Sequence, residues 1–235
     1  TYTDGNGCVN SATSDITVNA LPTVTFGALS DVCVDAADFT LTEGSPAGGT
    51  YSGAGVSGDT FSPATAGVGI HTLTYTYTDG NGCVNSATSD ITVNALPTVT
   101  FGALSDVCVD AVDFTLTEGS PAGGVYSGPG VTGDIFSPLT AGVGTHTLTY
   151  TYTDGNGCVN SATSDITVNA LPTVTFAAVP EVCSDAGAFD LTQGSPAGGT
   201  YSGTGITTSP AFDPSVAGAG THTITYTYTD ANSCT

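Results

Sequence analysis

The chain has 235 residues with no lysine, arginine or methionine, and its 21 acids against three histidines give a formal charge of −21. Such a polyanion has no electrostatic hold on nucleic acid or an anionic membrane, which leaves cations, neutral glycans, abiotic surfaces or further copies of itself as partners. No apolar run approaches the roughly 18 residues of a membrane span, so insertion by a helix is excluded as well.

Repetition organises the rest. Cys8, Cys83 and Cys158 are spaced by 75 residues, as are Cys33, Cys108 and Cys183. Residues 22–96 and 97–171 differ at seven positions, among them Ala37 against Val112, Ala54 against Pro129 and Ile70 against Thr145. Near-identity at a fixed period defines a repeat array. The expected domains are 22–96, 97–171 and 172–235, the third with one added residue near Ser209 and without its last strand. Residues 1–21 read as the C-terminal part of a preceding copy, so the expectation is of a window on a longer polymer.

Within one copy the predicted elements are short strands. Residues 23–26 form the first, with Val24 and Phe26 on one face; residues 30–35 make a corner around Cys33; residues 38–43 form the second, with Phe39 and Leu41 inward. Residues 44–49 read as a loop, 50–52 as a third strand, 53–58 as a glycine-rich turn and 60–61 as another short strand. The clearest signal follows: Thr72, Thr74, Thr76 and Thr78 alternate with His71, Leu73, Tyr75 and Tyr77, the period of a half-buried strand. Asp79-Gly80-Asn81-Gly82 supplies a turn and residues 88–93 the returning strand. No window has helical spacing. The prediction is all-β, a tandem array of immunoglobulin-like antiparallel β-sandwich repeats of about 75 residues. Asn-Ala-Leu-Pro at 19–22 recurs at 94–97 and 169–172, and a tie this short, ending in proline, predicts a stiff rod.

A body of about 75 residues has a thin core that calls for a covalent staple, and regular cysteines in such a unit read as disulfides made in an oxidising, extracellular setting. Pairing inside each copy joins Cys33 to Cys83, Cys108 to Cys158 and Cys183 to Cys234, leaving Cys8 for a partner upstream. Each loop of about 50 residues is worth about 3 to 4 kcal/mol. The alternative joins neighbours, Cys33 to Cys158 and Cys108 to Cys234, because immunoglobulin connectivity puts the corner and the turn at opposite ends of the sandwich. The internal set is preferred, since a small domain needs its own clamp, and both stay open.

Several residue sets invite chemistry. Asp31 and Asp35 flank Cys33, and Asp79 and Asn81 precede Cys83, so a bridge between those cysteines draws together hard oxygen donors of the kind calcium takes. The matching sets are Asp106, Asp110, Asp154 and Asn156, then Glu181, Asp185, Asp230 and Asn232. Asx turns and solvated acids explain the same residues without a metal, so calcium is the one candidate cofactor. Gly53-Ala-Gly-Val-Ser-Gly58 and its copy at 128–133 match a dinucleotide fingerprint, but no helix follows to receive a pyrophosphate, and a turn is expected. His71, His146 and His222 obey the strand alternation, which fits structural histidines better than a triad base or zinc ligand. Tyr51, Tyr126 and Tyr201 stack on sugars if exposed and serve the core if buried.

Gly-Ser-Pro-Ala-Gly-Gly-Thr-Tyr-Ser-Gly at 44–53, Phe61-Ser-Pro, Ala66-Gly-Val-Gly, the run from His71 to Asp79 and Asn81-Gly-Cys together resemble the immunoglobulin-like repeats of very large surface adhesins in gliding and related Bacteroidota, along the whole chain. The resemblance implies an extracellular, cell-surface filament used in adhesion or gliding and exported by type IX secretion, although no segment matches that family's terminal sorting domain. The expected function is a non-enzymatic stalk segment giving reach and stiffness, its partners being neighbouring repeats and, through edge strands, other chains in a fibre. The alternative makes each repeat a glycan- or protein-binding module.

Overall fold

The computed structural model describes residues 1–235 and consists of short strands, three long-stranded or truncated hairpins and three single-turn helices. No helix is long and apolar enough to cross a membrane. Two compact units are present, one of residues 1–97 with 153–159 and one of residues 98–152 with 160–235.

In the first unit the alternating threonine stretch pairs Gly69–Thr78 with Val84–Asn94, from Gly69 opposite Val93 to Thr78 opposite Val84. The alternation sends Leu73, Tyr75, Ile91 and Val93 into the core and the threonines outward. Val32–Cys33 runs parallel to the end of the returning strand, with Cys33 opposite Asn94, and Thr50–Ser52 pairs on the other edge. A second sheet orders Phe39–Thr40, Thr60–Phe61 and Val56–Ser57, and Thr25–Phe26 pairs with Gly44–Ser45. One sheet built on a long hairpin, faced by a short three-stranded one, is the layout of an immunoglobulin-like sandwich. Leu41, Phe61, Leu73, Ile91 and Val93 form its core, with Phe26 and Phe39 packed against them.

Two local expectations are corrected. Gly44–Ser45 is a strand rather than loop, and Pro63–Ala66 forms one helical turn. The turn is too short to show periodicity. Its proline sits at the N-terminus, where no amide is needed, and Gly67 ends it by donating from N to the Pro63 carbonyl at a φ of 79°. The glycine motif around residue 44 has a packing cause. A Cβ on Gly44 or Gly49 would lie 2.4–2.6 Å from the Tyr75 ring or its neighbours, so the two glycines form the slot that accepts this buried tyrosine. The Tyr75 hydroxyl accepts from the Gly49 amide and donates to the Pro46 carbonyl, satisfying a polar tip inside the sandwich.

The second unit repeats this design twice. Leu116, Tyr126, Phe136, Leu148, Tyr150, Ile166 and Val168 form one core, and Leu191, Tyr201 and Tyr226 a smaller one. The last copy is described over residues 172–235. Its long strand shrinks to Ile224–Thr227, and its corner around Cys183 is not a strand. A groove of about 750 Å³ is lined by Phe176, Leu191, Phe212, His222 and Ile224 among others.

Candidate functional site

The cysteines define the feature that sets this chain apart from a string of unconnected sandwiches. Cys33 is bonded to Cys158 in the first unit and Cys108 to Cys234 in the second, with Cα separations of 5.6 Å in both. The preferred internal pairing is thereby corrected. The reason lies in the strand register: Cys33 sits opposite Asn94, at one end of the strand Val84–Asn94, while Cys83 immediately precedes its other end. Eleven strand residues hold the two about 33 Å apart, far beyond the roughly 7 Å that a disulfide tolerates. Each bridge therefore ties the corner of one copy to the hairpin turn of the next. Cys8, Cys83 and Cys183 are unpaired.

The turn that presents the second cysteine is built by one aspartate. Asp79 Oδ1 accepts from the amides of Asn81 and Cys83, the Asp79 amide donates to the Cys83 carbonyl, and Gly82 closes the loop at a φ of 79°. Asp154 and Asp230 do the same for Asn156 and Cys158 and for Asn232 and Cys234. At the corner, Asp31 Oδ1 accepts from the Thr92 amide and Asp106 Oδ1 from the Thr167 amide, fixing the corner to the returning strand.

The bridges regroup the candidate calcium donors. Asp31 and Asp35 lie at the opposite end of the sandwich from Asp79 and Asn81, and the bridges bring Asp31 and Asp35 instead to the turn of Asp154 and Asn156, and Asp106 and Asp110 to that of Asp230 and Asn232. No cluster of three or more His, Cys, Asp or Glu side chains, Asp35, Asp110, Glu181 and Asp185 among them, is placed to hold a metal ion. Asp79, Asp154 and Asp230 build turns, and Asp31 and Asp106 fix corners.

The tyrosine set is corrected too. Tyr126 and Tyr201 are buried and Tyr51 half-buried; their hydroxyls accept from the amides of Gly119, Gly194 and Gly44. Burial pushes the Tyr126 hydroxyl pKa up, against the Gly119 amide that pulls it down. Their rings pack against Tyr150, Tyr226 and Tyr75 with centroids 4.6–4.7 Å apart and planes tilted by 44–47°. Each histidine Nε2 bonds the carbonyl that follows the helical turn, Gly67 for His71, Gly142 for His146 and Gly218 for His222. The glycine-rich matches are turns, with Gly53, Gly55 and Gly58 at positive φ. The bridge connectivity is the feature that sequence reasoning ranked second; the signal for it was the placement of corner and turn at opposite ends.

No protein-family model and no curated protein matches the chain. Among solved structures, a Ca²⁺-stabilised adhesin with which an Antarctic bacterium binds ice is similar over 91% of this chain and 64% of its own, at 19% identity and a TM-score of 0.38. The insect immune protein hemolin is similar over 64% of this chain and 46% of its own, at 17% identity and a TM-score of 0.27. The chain thus spans less than two thirds of either.

Proposed function

We propose that the chain is a load-bearing stalk segment of an extracellular adhesin, non-catalytic, whose repeats act as linked spacers. The carrying observation is the interleaving of the two bridges, Cys33 with Cys158 and Cys108 with Cys234. Between Cys33 and Cys234 the backbone has about 200 residues, but the shortest covalent path crosses the first bridge, returns along the roughly 50 residues from Cys158 to Cys108, and crosses the second. At about 3.5 Å per extended residue that is about 175 Å instead of about 700 Å. Even with every sandwich unfolded, the interleaved chain yields a quarter of its free length. A filament that must hold under drag gains from that arrangement; a soluble enzyme does not.

The same bridges, which persist where thiols are oxidised, support extracellular placement. The motif resemblance supports a giant surface adhesin of the gliding Bacteroidota and export by type IX secretion. The proline ties between copies and the charge of −21, which keeps parallel rods apart, suit a stiff pole. Force–extension of single chains held at both ends tests the reading. Reductant should lengthen the fully stretched chain by about 500 Å; equal lengths with and without reductant sink it. A glycan array probed with the same chain separates stalk from binding module, and specific sugar binding by each repeat favours the module.

A further inference from the structure

Each bridge joins two sulfurs whose backbones are held by bonds that involve no sulfur. Val32–Cys33 lies parallel to the end of Val84–Asn94, the Val34 amide donates to the Asn94 carbonyl, and Asp31 Oδ1 accepts from the Thr92 amide, all within residues 22–96. Cys158 is fixed inside residues 97–171, its amide donating to Asp154 Oδ1 and its carbonyl accepting from the Asp154 amide. Cys108 and Cys234 are held in the same two ways, through Asp106 and Asp230. Corner and turn are thus built without the bridge.

The unfolded chain favours other pairs. Bonded partners are 125 and 126 residues apart, whereas Cys108 and Cys158 are separated by 50. Contact between two points on a flexible chain falls as about the three-halves power of their separation, so that wrong pair meets roughly four times as often as Cys33 with Cys158. Folding reverses the preference, because the strand Val159–Asn169 holds Cys108 and Cys158 at its opposite ends. The two sulfurs of a bridge are also unequally open: Cys158 is 0% and Cys234 1% exposed, while Cys33 and Cys108 are half-buried.

We propose that the bridges are sealed on the folded chain by a positively charged disulfide, with Cys33 and Cys108 as the sulfurs that meet it and Cys158 and Cys234 as those that resolve it. The Cys33 thiolate attacks one sulfur of the oxidant and releases the other as a thiolate. The Cys158 thiolate then attacks the Cys33 sulfur and expels the second half, so two thiols become one disulfide and the oxidant leaves as two thiols carrying the two protons. Charge selects the reagent: Asp31 and Asp35 flank Cys33, and Asp106 and Asp110 flank Cys108, in a chain of charge −21 that draws cations and repels anions. A corner is sealed only once the turn of the following copy exists, so oxidation trails folding by one repeat. The reaction class that completes the chain is oxidation of a folded dithiol, not isomerisation of mispaired bridges.

The order of closure goes beyond the stalk reading and is tested without it. In the variant Cys8→Ser with Cys83→Ser and Cys183→Ser, only the four bonded sulfurs compete. Reduced, freed of reductant and given the dication cystamine, this chain should carry cysteamine first on Cys33 and Cys108 and then show the two native bridges, as read by peptic maps of acid-quenched samples. In concentrated urea Cys108 joined to Cys158 should outnumber Cys33 joined to Cys158 by roughly fourfold. Cystamine should outpace the anionic oxidised glutathione, and about 1 M salt should close most of that gap. Asp154→Ala, which removes both acceptor bonds of the turn, should keep the Cys33 adduct roughly tenfold longer, and Asp154→Asn, which keeps an Oδ1 acceptor, should shorten it again. Adducts that form first on Cys158 or Cys234 overturn the proposal, as do native pairs as frequent in urea as in buffer, glutathione that matches cystamine at low salt, or an Asp154→Ala adduct that resolves at the parent rate. The force–extension test starts from the oxidised chain and is untouched by any of these results.

Discussion

His71-Thr-Leu-Thr-Tyr-Thr-Tyr-Thr and His222-Thr-Ile-Thr-Tyr-Thr-Tyr-Thr differ by one leucine-to-isoleucine change, yet the first lies in the ten-residue strand Gly69–Thr78 and the second yields only the four residues Ile224–Thr227. The local sequence is the same; the neighbour is not. Ile224–Thr227 keeps its pairing with Thr200–Gly203 and is ordered over that length. Residues 220–223 form no strand. A strand is stabilised by its cross-strand pairs, so alternation supplies the readiness to form one and the partner decides how far it runs.

Removing the bridges is the largest expected perturbation of this comparison. Cys108→Ser with Cys234→Ser opens a loop of about 125 residues, worth up to about 5 kcal/mol in chain-entropy arithmetic. The third copy, whose core is the smallest of the three, should lose amide protection throughout. Cys33→Ser with Cys158→Ser opens an equally long loop but should leave the hairpin of the first copy protected. Site-resolved hydrogen exchange reads both, and equal losses would break the contrast. Next in size, Ile91→Ala removes a fully buried side chain from the closing strand at a cost of about 2 to 5 kcal/mol. Its signature should be local as well as global: residues 69–72 open first and come to resemble residues 220–223, while the segment paired with Thr50–Ser52 holds.

How far this was legible in the sequence depends on where each interaction is encoded. The long hairpin was legible because Leu73 and Tyr75 alternate with threonines and Asp79-Gly-Asn-Gly can only be a turn. The sandwich was legible because such hairpins recur with short apolar strands between them. The slot formed by Gly44 and Gly49 was visible only as a motif, since the ring it accepts, Tyr75, lies some thirty residues on, and nothing local says which ring fills it. The bridges were misjudged for a related reason. Pairing Cys33 with Cys83 looks economical along the chain, and the extended length of Val84–Asn94 forbids it. The calcium set regroups with that pairing, because the acids beside one copy's corner meet the turn of the next copy rather than their own.

A smaller test concerns the turn. Ser233 takes a φ of 68° where the other copies place Gly82 and Gly157, at 79° and 83°. A side chain in that region costs about 1 kcal/mol, so Ser233→Gly should stabilise the third copy by about that amount and Gly82→Ser should weaken the first equally, as read by urea midpoints at unchanged m-value.

The smallest effect is a matter of pH. The helical turn Pro214–Ala217 is capped by Asp213, whose Oδ1 accepts from the Ser215 hydroxyl and amide, whereas Ser62 and Ser137 make no such bond. The Ser215 hydroxyl, with the amide second, holds the Asp213 carboxyl below the usual carboxylate range. The folded form thus favours the charged carboxylate and the unfolded chain takes up its proton at higher pH. The cap's contribution is full above the unfolded chain's carboxylate range, about 3.9, and is lost as pH falls through the lower folded value. An acid titration of the third copy followed at the Ser215 amide should show that loss, and Asp213→Ser should abolish it. Ser62→Asp alone should not install it in the first copy, because Ala64 stands where Ser215 supplies the hydroxyl; Ser62→Asp with Ala64→Ser should. A single substitution that sufficed would show the backbone amide, rather than the hydroxyl, to be the deciding donor.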